Sequence, residues 1–243
     1  MINKKLLLSV LSVGTLVLGA VAPVTVLAAE SRVENSTATA TFTEDNTNPV
    51  DPVDPGNPTD PTDPEIPGTG ETGPLTIDYV SNFDFGTHPI PTSDTTYTAK
   101  DSTKADGTEF ANYVQVSDRR AGTPKGWSLT VSENAQFKDT TGSELSGAAL
   151  SLGVGTDKTA STQYPASNDT VDSTTTTTAL APDGSTTSVM DADAGGGSGT
   201  WLDVFGEKGA STVKLMVPAA AHPNADSYST TLTWSLADTP TNS

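Results

Sequence analysis

The chain has 243 residues, no cysteine, and 30 acidic against 12 basic side chains, a net charge of -18. That balance argues against nucleic acid and anionic lipid as electrostatic partners. The missing thiols exclude disulfides, a thiol nucleophile and cysteine-based metal sites, so the fold must be held by its core alone.

Residues 1–28 read as a secretory signal peptide. Lys4 and Lys5 form a positive start, Leu6 to Ala22 is apolar, and Val26-Leu27-Ala28 supplies the small residues of a cleavage site. A membrane anchor is the competing reading, but the run is short for a span and Pro23 closes it. No other run reaches membrane length, so the mature chain is expected to have no span. Cleavage after Ala28 leaves ten basic and 30 acidic residues, net -20. Attraction to the phosphate polyanions of a cell wall is then absent at long range. Any wall contact must act within roughly 8 Å, the screening length at physiological salt.

Residues 29–47 are rich in Ser, Thr and Asn, and predict disorder or one loose strand. In residues 48–74 proline recurs at 49, 52, 55, 58, 61, 64 and 67, and Asp51, Asp54, Asp60 and Asp63 each precede one. A period of three matches polyproline II, which puts the prolines on one ridge and the aspartates on another. Self-repulsion stiffens such a rod, and at about 3.1 Å per residue it could span roughly 80 Å. The segment is expected to be an extended linker, with a disordered tail as the plainer reading.

Residues 75–243 carry the strand patterns and suit one domain. Leu75, Ile77 and Tyr79 alternate with other side chains, and Phe83 and Phe85 continue the pattern after a bulge expected at Ser81-Asn82. Further alternating runs are Trp127, Leu129 and Val131, then Val213, Leu215 and Val217. The longest is Tyr228, Thr230, Leu232, Trp234 and Leu236. Period two with one apolar face predicts half-buried antiparallel strands. Ser143 to Leu152 is ambiguous. Thr174 to Thr178 suggests an edge strand, and Asp191 to Gly199 a mobile loop. The expected fold is all-β: one antiparallel, sandwich-like domain following a signal peptide and an extended Pro/Asp-rich linker.

Two tripeptides share one pattern, Trp127-Ser128-Leu129 and Trp234-Ser235-Leu236. Strand positions i and i+2 lie on one face, so each presents Trp and Leu together. Either the pairs are core, or exposed indoles stack on sugar faces. Around them stand, in order, Leu75-Thr-Ile-Asp-Tyr-Val-Ser-Asn-Phe-Asp-Phe-Gly86, Val114-Gln-Val-Ser-Asp-Arg119, Gly199-Thr-Trp201 and Val213-Lys-Leu-Met-Val-Pro218. This ordered set resembles the WxL domain of low-GC Gram-positive surface proteins, over essentially all of 75–243. The resemblance implies an extracellular, cell-wall-associated protein held noncovalently on peptidoglycan. It also implies a complex with other surface proteins, such as a membrane-anchored WxL-interacting protein. It carries the two motifs to Trp127 with Leu129 and to Trp234 with Leu236. The chain's last residues, Asp238 to Ser243, show no sorting motif or apolar tail, which fits retention by the fold or by a partner.

Trp201 is a third aromatic candidate, sharing a face with Asp203 and Phe205 if extended. Arg119, Arg120 and Lys125 gather before Trp127, either as donors to wall carboxylates and phosphates or as local ion pairs with Asp118. No catalytic constellation stands out. His88 and His222 are the only histidines, each followed by Pro, too few for a typical zinc site. Ser198 lacks the spacing of a nucleophile elbow, and Asp191-Ala-Asp193-Ala-Gly195 lacks the ligands that would complete a calcium loop. The chain is therefore expected to be a non-enzymatic protein without cofactor or metal. The alternative is a structural or adhesin subunit retained only through a protein partner.

Overall fold

The computed structural model describes residues 32–44, 47–58, 66–159, 171–174 and 178–240. The predicted signal peptide lies outside them. The chain divides into two units, residues 1–41 and 42–243. In the first, residues 32–41 are exposed and enter no strand.

The second unit holds fifteen strands among the described residues. The first eight are β1 (Leu75–Val80), β2 (Thr95–Thr98), β3 (Ser102–Thr103), β4 (Glu109–Phe110), β5 (Tyr113–Asp118), β6 (Trp127–Glu133), β7 (Ala149–Ser151) and β8 (Thr156–Thr159). The rest are β9 (Val171–Ser173), β10 (Thr186–Ala192), β11 (Gly199–Val204), β12 (Gly206–Glu207), β13 (Ala210–Ser211), β14 (Lys214–Val217) and β15 (Leu232–Ala237). Every pairing is antiparallel, and the one described helical piece is a 3-10 turn at Ala219–Ala221.

Two four-stranded sheets run in the orders β1-β5-β11-β8 and β15-β6-β10-β9, with a smaller sheet β2-β14-β7. Their apolar residues meet in one core. Ile77, Val114, Val116 and Trp201 enter it from the first sheet, Trp127, Leu129, Val131 and Met190 from the second, and Leu150, Leu215 and Val217 from the third. The all-β sandwich-like class expected from the sequence is the class found.

The details differ in instructive places. The bulge in β1 falls between Ile77 and Tyr79, not at Ser81-Asn82, and Phe83 and Phe85 lie beyond the strand. They still pack on the core. The last strand is shorter than its pattern, starting at Leu232. Asp191 and Ala192 end β10 rather than opening a loop. Ser143–Leu152 holds the short strand β7, and Thr175 to Thr177 lie outside the described residues.

The Pro/Asp segment departs most from a free rod. Val50 and Val53 are buried, Val53 within a second apolar cluster with Ile66, Tyr79, Phe110, Tyr113, Leu202 and Val204. Polyproline geometry explains why. Pro49, Val50 and Asp51 begin three parallel ridges, and Val50 and Val53 share the one between prolines and aspartates. That apolar ridge covers the outer face of β1, β5 and β11. Backbone polarity is matched there too. Val53 N–H donates to Gln115 Oε1 at 3.0 Å, Tyr113 Oη donates to the Val53 carbonyl at 2.8 Å, and Lys104 pairs with Asp54 at 2.7 Å. Residues 59–65 of the segment lie outside the described residues.

Candidate functional site

The two Trp-x-Leu tripeptides lie side by side. β6 and β15 are antiparallel neighbours, with Leu236 opposite Leu129 and Trp234 opposite Val131. Trp and Leu of each point into the core, and the central Ser128 and Ser235 point to the other face of the sheet. Trp127 and Leu129 are fully buried. The Trp127 indole N–H donates to the Gly197 carbonyl at 2.9 Å. A Cβ on Gly197 would stand 2.6 Å from that nitrogen, and its φ of +79° suits glycine, so this turn is shaped around the ring. Trp201 is also buried and donates to the Ser198 carbonyl at 3.1 Å. Trp127, Leu129 and Trp201 therefore cannot touch a ligand in this fold, and their candidacy as contact residues is corrected to an architectural role. Trp234 and Leu236 are half-buried on the edge strand, Trp234 with its ring 6.3 Å from Phe205. They keep part of their surface open.

The basic cluster is also spent internally. Arg120 forms an ion pair with the nearly buried Asp118 at 2.7 Å, which raises its own pKa, and donates to the Gly126 and Asp238 carbonyls. Arg119 donates to the Gly73 carbonyl at 2.6 Å and the Asn48 carbonyl at 3.0 Å, tying the Pro/Asp segment to β5. Lys125 stays exposed. A cationic binding patch of three is corrected to one exposed lysine beside two structural arginines.

What the sheet β15-β6-β10-β9 offers to solvent is a plane of hydroxyls. The register puts Thr233, Ser132 and Thr186 in one row across three strands, and Ser235, Thr130 and Ser188 in the next. Thr174 extends the second row, its Oγ1 2.6 Å from Ser188 Oγ. Strands roughly 4.8 Å apart repeat the hydroxyls at that interval. Thr233, Ser235 and Thr186 are exposed, Thr130 and Ser188 half-buried, and Ser132 in the middle of the first row is buried, so the open hydroxyls lie mainly on β15, on Thr186 and along the second row. Asp191 borders the second row and accepts from Ser188 Oγ at 2.7 Å. Sequence reading passed over this face because it followed the apolar positions. The signal was available as Ser or Thr at each intervening place of Trp127–Ser132 and Leu232–Ser235.

Three buried carboxyls stand apart from the hydroxyl plane. Burial, and then the neighbouring Asp157 charge, push Asp203 up to about 8, while a hydrogen bond from Ser173 works the other way. Burial alone lifts Glu133 to about 7. Asp78 rises to about 6 through burial, against hydrogen bonds from Ser117, Gln115 and Thr76. Gln115 bonds both Asp78 and the Asp51 carbonyl, so Asp78 anchors the covering segment rather than a ligand.

Comparison with known proteins adds one match. The family model described as WxL domain, surface cell wall-binding, matches residues 29–240. No curated protein and no solved structure matches the chain. The match starts well before β1, so residues 29–74 belong to the family pattern together with the sheets. The chain belongs to the WxL family, and it is a cell-surface, cell-wall-associated protein.

Proposed function

We propose that this domain holds the protein on peptidoglycan noncovalently and without catalysis, through the hydroxyl-lined outer face of the sheet β15-β6-β10-β9. The observation that carries the proposal is the pair of hydroxyl rows directly behind the two Trp-x-Leu motifs. Hydroxyls both donate and accept, so they can meet the hydroxyls, acetamides and peptide groups of a wall polymer. The strongly acidic chain gains nothing from long-range attraction to anionic wall polymers, which leaves short-range hydrogen bonding as the fitting mode. Trp127 and Trp201 pack in the core beneath the sheet, and Trp234 adds a partly open apolar edge.

Pull-down of the folded protein on purified sacculi tests the proposal. Retention that persists at high salt is expected, and no loss of turbidity of a wall suspension. No retention of a folded sample overturns direct wall binding.

The second reading is retention through a protein partner, such as a membrane-anchored WxL-interacting protein. The edge position of β15 favours it, because an edge strand can accept another chain. Co-purification from cell envelopes separates the readings. Release by peptidoglycan digestion supports direct attachment, and retention after digestion supports the partner.

A further inference from the structure

Residues 36–43, Ser-Thr-Ala-Thr-Ala-Thr-Phe-Thr, alternate threonine with smaller or apolar residues and carry no charge in an acidic chain. β-branched Thr at every second place is a strand pattern. Yet these residues enter no strand, and each is exposed, Phe42 to 92%. The family pattern includes them, since it begins at residue 29.

β15 has the matching need. It ends its sheet, it is uncharged, and its inward Leu232, Trp234 and Leu236 are only half-buried. Among the described residues it is one of the uncovered sheet edges, β2 and β7 ending the smaller sheet, and it is the one that leaves a Trp and two Leu half-buried. β1 is capped by Thr69, whose N–H donates to the Asp78 carbonyl at 2.8 Å and whose hydroxyl donates to the Ile77 carbonyl at 2.6 Å. β8 and β9 border residues 160–170, which are not described.

We propose that residues 36–43 of one copy add as a further strand to β15 of a second copy. Ala38, Ala40 and Phe42 then face the core side and cover Trp234 and Leu236. Thr37, Thr39, Thr41 and Thr43 fall on the other side, extending the hydroxyl plane beyond Thr233 and Ser235. Donor and acceptor are different surfaces, so the contact is head-to-tail and builds chains of molecules along the wall. Two such acidic copies repel each other at low salt, so assembly should strengthen as salt screens that repulsion.

The absence of native cysteine makes the test direct. One sample carries Thr37→Cys, Thr39→Cys or Thr41→Cys, a second carries Ser235→Cys, and the two are mixed and oxidised. A disulfide-linked heterodimer is expected for at least one donor position. Adding Ala40→Pro to the donor, which removes a ladder N–H at an exposed residue, should lower its yield at least about tenfold. The melting temperature of Ala40→Pro should match the parent, and so should its sacculus retention at protein concentrations too low for assembly, which separates this inference from wall binding. No heterodimer at any donor position, or a yield indifferent to Ala40→Pro, overturns it. So does a doubly substituted Thr39→Cys, Ser235→Cys chain that closes only upon itself.

Discussion

Trp127 and Trp234 look equivalent in sequence and are not equivalent in the fold. Trp127 is enclosed, with a satisfied indole N–H, so Trp127→Ala should cost about 3–5 kcal/mol and lower melting temperature and wall retention together. Trp234 lies on an edge strand and keeps open surface, so Trp234→Ala should cost only about 1–2 kcal/mol. Thermal melts of the two variants measure the difference, and equal losses would contradict it. Nothing in a Trp-x-Leu tripeptide tells these cases apart, because both share one alternation. The difference comes from which strand ends its sheet. Asp203 gives a second test at this scale. Its pKa is raised on folding, so the folded state holds a proton that the unfolded chain releases near the ordinary carboxyl value of 3.8. Stability therefore falls as pH rises from about 4 to about 8. Glu133 acts in the same direction up to about 7. Asp84, held low by its hydrogen bond from Lys100, acts oppositely and only in stronger acid. The melting temperature should be higher at pH 5 than at pH 8. Asp203→Asn should recover roughly 2–3 kcal/mol at pH 8, about 5–10 °C, and flatten the profile.

At the scale of elements, β15 was legible because it buries one face, and β6 because its Trp, Leu and Val alternate with Ser and Thr, although only Thr130 of its seven residues escapes full burial. β5 and β11 were harder to read. All six residues of each are buried, since the core lies on one side and the Pro/Asp segment on the other. A strand covered on both faces loses the polar half of its alternation. The covering segment was misread for a related reason. Its proline period was recognised, but Val50 and Val53 occupy a third ridge, which becomes apolar contact only when a sheet is placed against it. Val53→Asp should cost about 2–4 kcal/mol and open residues 48–58 to proteolysis. Limited digestion that cuts parent and variant equally would show that the segment does not hold to the sheet. The arginines follow the same logic. Arg119 and Arg120 stood out as a cluster, but their partners are carbonyls of Asn48, Gly73, Gly126 and Asp238, which only the fold brings within reach.

At the scale of the molecule, acidity and wall association fit together if attachment is short-range. So acidic a chain should bind sacculi no worse as salt rises from about 0.1 M to about 0.5 M, since screening removes only repulsion from anionic wall polymers. Steep loss with salt would instead indicate a charge-driven contact and return weight to Lys125. The family and the all-β class could be read from the order of motifs. The proposed binding face left only a partial signal, the Ser and Thr between the apolar positions of β6 and β15, because the rows themselves form across strands whose register the sequence does not state.

The central claim is that those rows make the wall contact. Its most direct measurement is sacculus retention of the triple variant Thr130→Val, Thr186→Val, Ser235→Ala, which removes three hydroxyls and keeps strand-forming shapes. With hydrogen bonds worth about 1 kcal/mol each, retention should fall at least tenfold while the melting temperature stays within a few degrees. Undiminished retention by the folded variant would contradict the claim.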